Sequence, residues 1–292
     1  MSFFEKRPMV MITLGVIGIS LSSIFVKFSA APPAVTAAWR LLWTVALMSP
    51  VVWGRGAVRR ELLAVDRRLA ALSALSGLFL AIHFVLWFES LNRTSVASST
   101  TIVCTEVLWV CLGYWLFLGG RVPGKALAAI GVTFAGSVLI AFADSGSEGH
   151  LWGDVLALLA AVAVAAYTLI GRVVREKAST TVYTYLVYTA CAGVLVLTCA
   201  AQRQDLFGHG TGPILVGLAL AVCSTILGHS IFSWCLKYFS PAFVSASKLC
   251  EPVGAAALAA VIFAQIPSAL QLLGGGLILG GVFWYSRMEE NG

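Results

Sequence analysis

Arg40, His83, Glu106, His229, Lys248 and Glu251 each stand deep inside a long apolar run. In hydrocarbon such a group costs about 2.5–3.5 kcal/mol on insertion scales, so it needs a partner or a watery cavity, and function is the default expectation. His83 and Trp87 fall one helical turn apart on one face. An imidazole there can hydrogen-bond a solute while the indole stacks on it; packing against a neighbouring helix is the competing reading. Ser98, Thr101 and Thr105 form a hydroxyl stripe with Glu106 beside it. Hydroxyls at this spacing also glue helices together. Glu106 either pairs with a buried base such as Arg40 or takes a solute ammonium or a proton.

Ser245, Lys248, Glu251 and Pro252 crowd into about two turns further on. Lys248 and Glu251, as i,i+3 neighbours, can neutralise one another; alternatively Lys248 can hold a carboxylate. Pro252 has no N–H and displaces the Lys248 carbonyl four residues back. A freed carbonyl at mid-membrane is tolerated only against protein or water, which makes Pro252 a gating candidate. Tyr167 and Tyr185 lie deeper in their runs than interface belts do, and a buried phenol wants a partner. The candidate substrate-binding set is therefore His83, Trp87, Thr101, Thr105, Glu106, Tyr167, Tyr185, Ser245, Lys248 and Glu251. No H-E-x-x-H pair, C-x-x-C pair or phosphate-cradling loop is present, so neither a metal nor a cofactor is expected.

The elements that must position these groups are ten apolar runs, at 9–28, 33–53, 69–91, 95–118, 125–143, 151–171, 180–201, 213–236, 241–264 and 268–286. A spanning helix needs about 20 apolar residues, and period-two alternation is missing, so the runs read as membrane helices rather than barrel strands. Ten of them consume most of the 292 residues and leave no room for a sizeable soluble domain. The chain is 59% hydrophobic and 11% charged, against roughly 25% charged in soluble domains. That balance excludes a cytosolic enzyme, a nucleic-acid binder and a disordered chain. Fourteen Lys and Arg fall on the N-terminal side of the runs and three on the other. By the positive-inside rule both termini are expected in the cytoplasm, with the chain a multi-pass protein of the cell (inner) membrane.

A shift of 146 residues lays His83 on His229, Ser99 on Ser245, Cys104 on Cys250, Val107 on Val253, Leu112 on Leu258 and Phe117 on Phe263. The run boundaries coincide as well. Two units of five helices, 1–146 and 147–292, follow. An odd number forces the second to insert upside down, which places a binding site near the midplane between the repeats. The expected fold is thus all-α, with ten transmembrane helices in two inverted five-helix repeats.

Pro33 before Arg40, Ser240-Pro241, Glu251-Pro252, Gln271 before Gly276, and Gly281-Val282 resemble the EamA-type repeat of the drug/metabolite transporter superfamily. His83 and the aromatic-rich runs are most similar to the YddG-type exporters of aromatic amino acids. The resemblance implies a non-enzymatic secondary transporter, exporting small amphiphilic metabolites such as aromatic and other apolar amino acids by alternating access through a central cavity. Its partners would be a small-molecule substrate and the bilayer, with no nucleic acid. A monomer should suffice, the alternative being a dimer through the Gly276/Gly280 G-x-x-x-G stripe. The rival transporter reading is drug/proton antiport, which usually uses an acid in the first helix, and residues 9–28 contain none. Rivals of another class are a channel and an intramembrane enzyme, and the sequence shows no catalytic constellation for the latter.

Overall fold

The structure is a computed structural model that describes residues 8–94, 96–144, 151–263 and 267–290. Its regular elements are helices throughout. They are α1 (Pro8–Ser20), α2 (Ser22–Lys27), α3 (Pro33–Gly54), α4 (Gly56–Leu63), α5 (Arg67–Leu91), α6 (Val96–Val103), α7 (Glu106–Leu118) and α8 (Gly124–Asp144). Then follow α9 (Leu151–Arg175), α10 (Thr180–Ala201), α11 (Gly212–Ala219), a π-helical segment (Leu220–His229), α12 (Ser230–Cys235), α13 (Pro241–Lys248), α14 (Glu251–Phe263) and α15 (Ala269–Glu290).

Helix starts follow local chemistry. Asp66, Ser179 and Ser240 each accept a backbone N–H of the first turn of α5, α10 and α13, at 2.7, 3.3 and 3.2 Å, and Pro241 adds its preset φ at the first position of α13. At the end of α7, Gly119 turns left-handed at φ 63°, where a side chain would be strained. The next N–H, of Gly120, closes on the Tyr114 carbonyl at 3.0 Å.

Among the described residues seven helices are long and apolar enough to cross a membrane, α1–α2 and α11–α12 each counting as one. The remaining apolar runs correspond to α8 and to two helices that are interrupted. One interruption, at Cys104 and Thr105, separates α6 from α7; the other, at Leu249 and Cys250, separates α13 from α14. The breaks were only half expected: Pro252 announces the second, nothing comparable the first.

α5 packs along α9, and α8 along α15. The second pairing depends on glycine. A Cβ on Gly136 would fall 2.5 Å from the Gly274 carbonyl oxygen, and one on Gly274 would fall 2.7 Å from that of Gly136. Gly281 likewise meets the Thr133 turn of α8. Gly276 and Gly280, the sequence's G-x-x-x-G, face open space, so the packing stripe is Gly274/Gly281 instead.

The basic connections gather at one end of the bundle. The Ser179 N–H donates to Glu61, Arg172 to the Leu236 carbonyl, and the Ser240 N–H to Glu289. At the other end Thr94 donates to Asp154 and Trp39 to the Leu206 carbonyl.

Candidate functional site

The two interruptions meet in the interior and wall one side of a cavity of about 60 Å³. Glu106 is the first residue of α7 and Lys248 the last of α13. Each charge thus sits at the helix end whose dipole favours it. They pair at 2.8 Å, both largely buried. The same oxygen, Glu106 Oε1, accepts from Ser245 Oγ and from Thr168 Oγ1 of α9, each at 3.0 Å. A carboxylate with three donors is satisfied, and this one ties the first half of the chain to the second.

Of the two readings of Glu106, the structure shows pairing with a buried base, which is Lys248 rather than Arg40. Lys248 pairs across the molecule and not with Glu251 one turn away, because the break at Leu249 and Cys250 interrupts the continuous helix that the i,i+3 argument assumes. Glu251 opens α14 and lines the cavity. Its carboxylate has no hydrogen bond or ion pair among the described residues.

The opposite wall is aromatic. His83 Nδ1 bonds the Ala160 carbonyl at 3.0 Å, and its ring stacks on Trp87 with centroids 5.8 Å apart and planes 18° apart. His229, the shift-related partner of His83, also lines the cavity and lies edge-on to Phe84 and Tyr167. It is carried there by the π-helical segment, in which Thr225 Oγ1 reaches the Leu220 carbonyl five residues back at 3.3 Å. Such wide turns occur frequently at functional sites. Arg40 completes the polar lining, its Nε on Thr225 Oγ1 at 2.7 Å.

Of the candidate substrate-binding residues, His83, Trp87, Glu106, Ser245, Lys248 and Glu251 line the cavity. Tyr167 stands behind the wall, its hydroxyl 2.9 Å from Ser233 Oγ. Thr105 spends its hydroxyl on the Ile102 carbonyl at 2.7 Å. Tyr185 lies away from the cavity, toward the basic end, bonded to Ser49 at 3.1 Å and Trp53 at 3.0 Å. Depth along a run does not distinguish a phenol aimed inward from one aimed sideways. The Thr101 side chain lies outside the described residues. Pro252 occupies the first turn of α14 and shapes the break without being part of the lining.

Arg40, His229, Ser22 and Thr100 are lining residues absent from the candidate set. The first two were visible as deep ionisable groups. Six buried side-chain polar atoms lack a hydrogen-bond partner among the described residues, and three of them, Arg40 Nη2, Trp87 Nε1 and His229 Nδ1, belong to this cavity's lining. Unsatisfied buried polar atoms are rare in native proteins, and these three share one cavity.

A helical bundle with interrupted helices meeting at an internal polar cavity is the architecture of a multi-pass membrane transporter. The EamA-like transporter family matches residues 6–142 and again residues 151–287. The chain belongs to the EamA-like transporter family, and is accordingly a membrane transporter of small substrates. A solved crystal structure, described only as that of a protein, is similar with a TM-score of 0.80 at 19% identity, covering 98% of each chain. That likeness concerns the fold alone. No curated protein matches the sequence.

Proposed function

We propose that the chain exports small amphiphilic metabolites, aromatic and other apolar amino acids foremost, by alternating access between two inverted five-helix repeats. The observation that carries this reading is the cavity itself: an aromatic wall of stacked His83 and Trp87 faces a polar wall built from both halves. A ring stacks on the first and the charged groups of an amino acid meet the second. At about 60 Å³ the cavity is far smaller than the roughly 150 Å³ that takes up benzene. A ring-bearing solute therefore needs more room than the cavity has here, which a parting of the halves would supply. The interruptions lie at matching places in the two matched regions, which suits a pair of rocking units. The resemblance to YddG-type exporters supplies the aromatic class and the outward direction, with the cell (inner) membrane as location and the basic end in the cytoplasm.

Purified protein in liposomes tests the reading. Radiolabelled phenylalanine should accumulate by counterflow against unlabelled aromatic and apolar amino acids, which a channel cannot support. A panel of lipophilic cations with a proton gradient should not replace them. In intact cells a cysteine at His209 should label from outside and one at Arg59 should not. The reverse labelling would sink the proposed orientation.

A further inference from the structure

Lys248 is the cation that the sequence offers to a substrate carboxylate, yet Glu106 already holds its charge. Arg40 is in the opposite position. It is 1% exposed and lines the cavity. Its Nε donates to Thr225 Oγ1 at 2.7 Å and its Nη1 to Ser22 Oγ at 3.3 Å, while the guanidinium lies 4.3 Å above the Phe84 ring. These contacts orient the guanidinium but supply no negative charge. Nη2 is unbonded, and no carboxylate stands at ion-pair distance among the described residues. Glu251, on the same cavity, acts on Arg40 only from beyond ion-pair distance. A buried guanidinium with no acid in contact and both N–H groups of Nη2 unbonded is suited to an anion.

We propose that Arg40, and not Lys248, is the carboxylate anchor of the transported solute. The planar fork of a guanidinium suits a carboxylate, and only one of its five N–H groups, that of Nε, makes a short hydrogen bond. Glu251 complements it: a carboxylate on the same cavity, without a hydrogen bond or ion pair among the described residues, available to an ammonium. The Glu106–Lys248 pair then serves as a closed contact between halves and leaves substrate recognition to Arg40 and Glu251. The inference rests on the transport reading, but the anion site itself is testable without transport.

Ligand binding to purified protein is read by thermal shift with phenylalanine, phenylalaninamide and 3-phenylpropionate. These differ only in which charged groups they carry. Wild type should be stabilised by phenylalanine and 3-phenylpropionate, and phenylalaninamide should bind on the order of tenfold or more weakly. Arg40→Gln should remove that preference, so that acid and amide bind alike. Arg40→Lys keeps the charge without the fork, and should show a smaller loss for the acid alone. If Arg40→Gln does not fold, Arg40→Lys carries the test. Equal binding of acid and amide by wild type overturns the proposal, as does a preference that survives in the variants or a failure of every carboxylate to bind. Proteoliposome counterflow separates the two readings. If no amino acid exchanges, but 3-phenylpropionate binding still depends on Arg40, the anion site stands and the amino-acid reading falls.

Discussion

The two helix interruptions occupy the same place in each half, 145 residues apart, yet are made by different means. Before α7 the break at Cys104 and Thr105 contains no proline. The Ile102 carbonyl receives both the Thr105 N–H at 3.0 Å and the Thr105 hydroxyl at 2.7 Å, so one residue closes the preceding helix. Before α14 the chain tightens to i−3 bonds, Leu249 to Ala246 and Cys250 to Ser247, and Pro252 then prevents its continuation. The first break presents Glu106, which is saturated by three donors; the second presents Glu251, which has none among the described residues. A duplicated fold can therefore keep the geometry of a broken helix while dividing its tasks. One carboxylate holds the halves together, and the other lines the cavity without a hydrogen bond or ion pair among the described residues.

The largest expected effect comes from unbalancing the satisfied break. Glu106→Ala or Lys248→Ala strands a buried charge, which typically costs about 3–5 kcal/mol. Thermal unfolding in detergent should show a large drop for each single variant and substantial recovery for Glu106→Gln combined with Lys248→Met. Glu251→Gln is the matching change at the other break and should leave unfolding close to wild type while cutting exchange. Equal destabilisation by Glu106→Gln and Glu251→Gln would erase the contrast between the two carboxylates.

Much of this contrast was hidden in the sequence for a definable reason. Apolar runs are long local signals, and the ten read from the sequence overlie helix among the described residues, though only seven of those helices are long and apolar enough to cross a membrane. Pro252 is a local breaker, and its break is present. The Glu106–Lys248 pair joins residues 142 positions apart on different halves, and spacing arguments reach only along one helix. The i,i+3 pairing of Lys248 with Glu251 failed for that reason: the helix assumed by the spacing is interrupted between them. The break at Thr105 has no proline or glycine to announce it. The π-helical segment is equally silent, since Thr225 and Ser230 are ordinary residues until their hydroxyls reach carbonyls five residues back. Gly276 and Gly280 matched a familiar stripe, but Gly274 and Gly281 are the glycines that another helix touches.

A middle-sized effect is expected at Pro252. In the first turn of α14 proline costs little, because the N–H it lacks has no partner within that helix. Pro252→Ala should leave stability near wild type while allowing a new bond from residue 252 to the Lys248 carbonyl. That bond would carry α13 toward α14 and stiffen the bend. Binding should persist, and counterflow should slow on the order of tenfold, the equivalent of about one hydrogen bond in the barrier. Unchanged flux would remove Pro252 from the gate.

The smallest effect belongs to the break without proline. Thr105→Val keeps the shape of the side chain and deletes its hydroxyl, so the Ile102 carbonyl loses its 2.7 Å bond and keeps the 3.0 Å bond from the backbone N–H. Because the carbonyl is never wholly unsatisfied, the cost should be about 0.5–1 kcal/mol in unfolding rather than that of an orphaned buried acceptor. Nothing in Thr105→Val restores a missing N–H, so the helix gains no new route across the break, and exchange should change less than in Pro252→Ala. Measuring both variants by counterflow ranks the two breaks directly. A greater slowing in Thr105→Val than in Pro252→Ala would shift the hinge to the first half, and the division between a holding break and a moving break would have to be reversed.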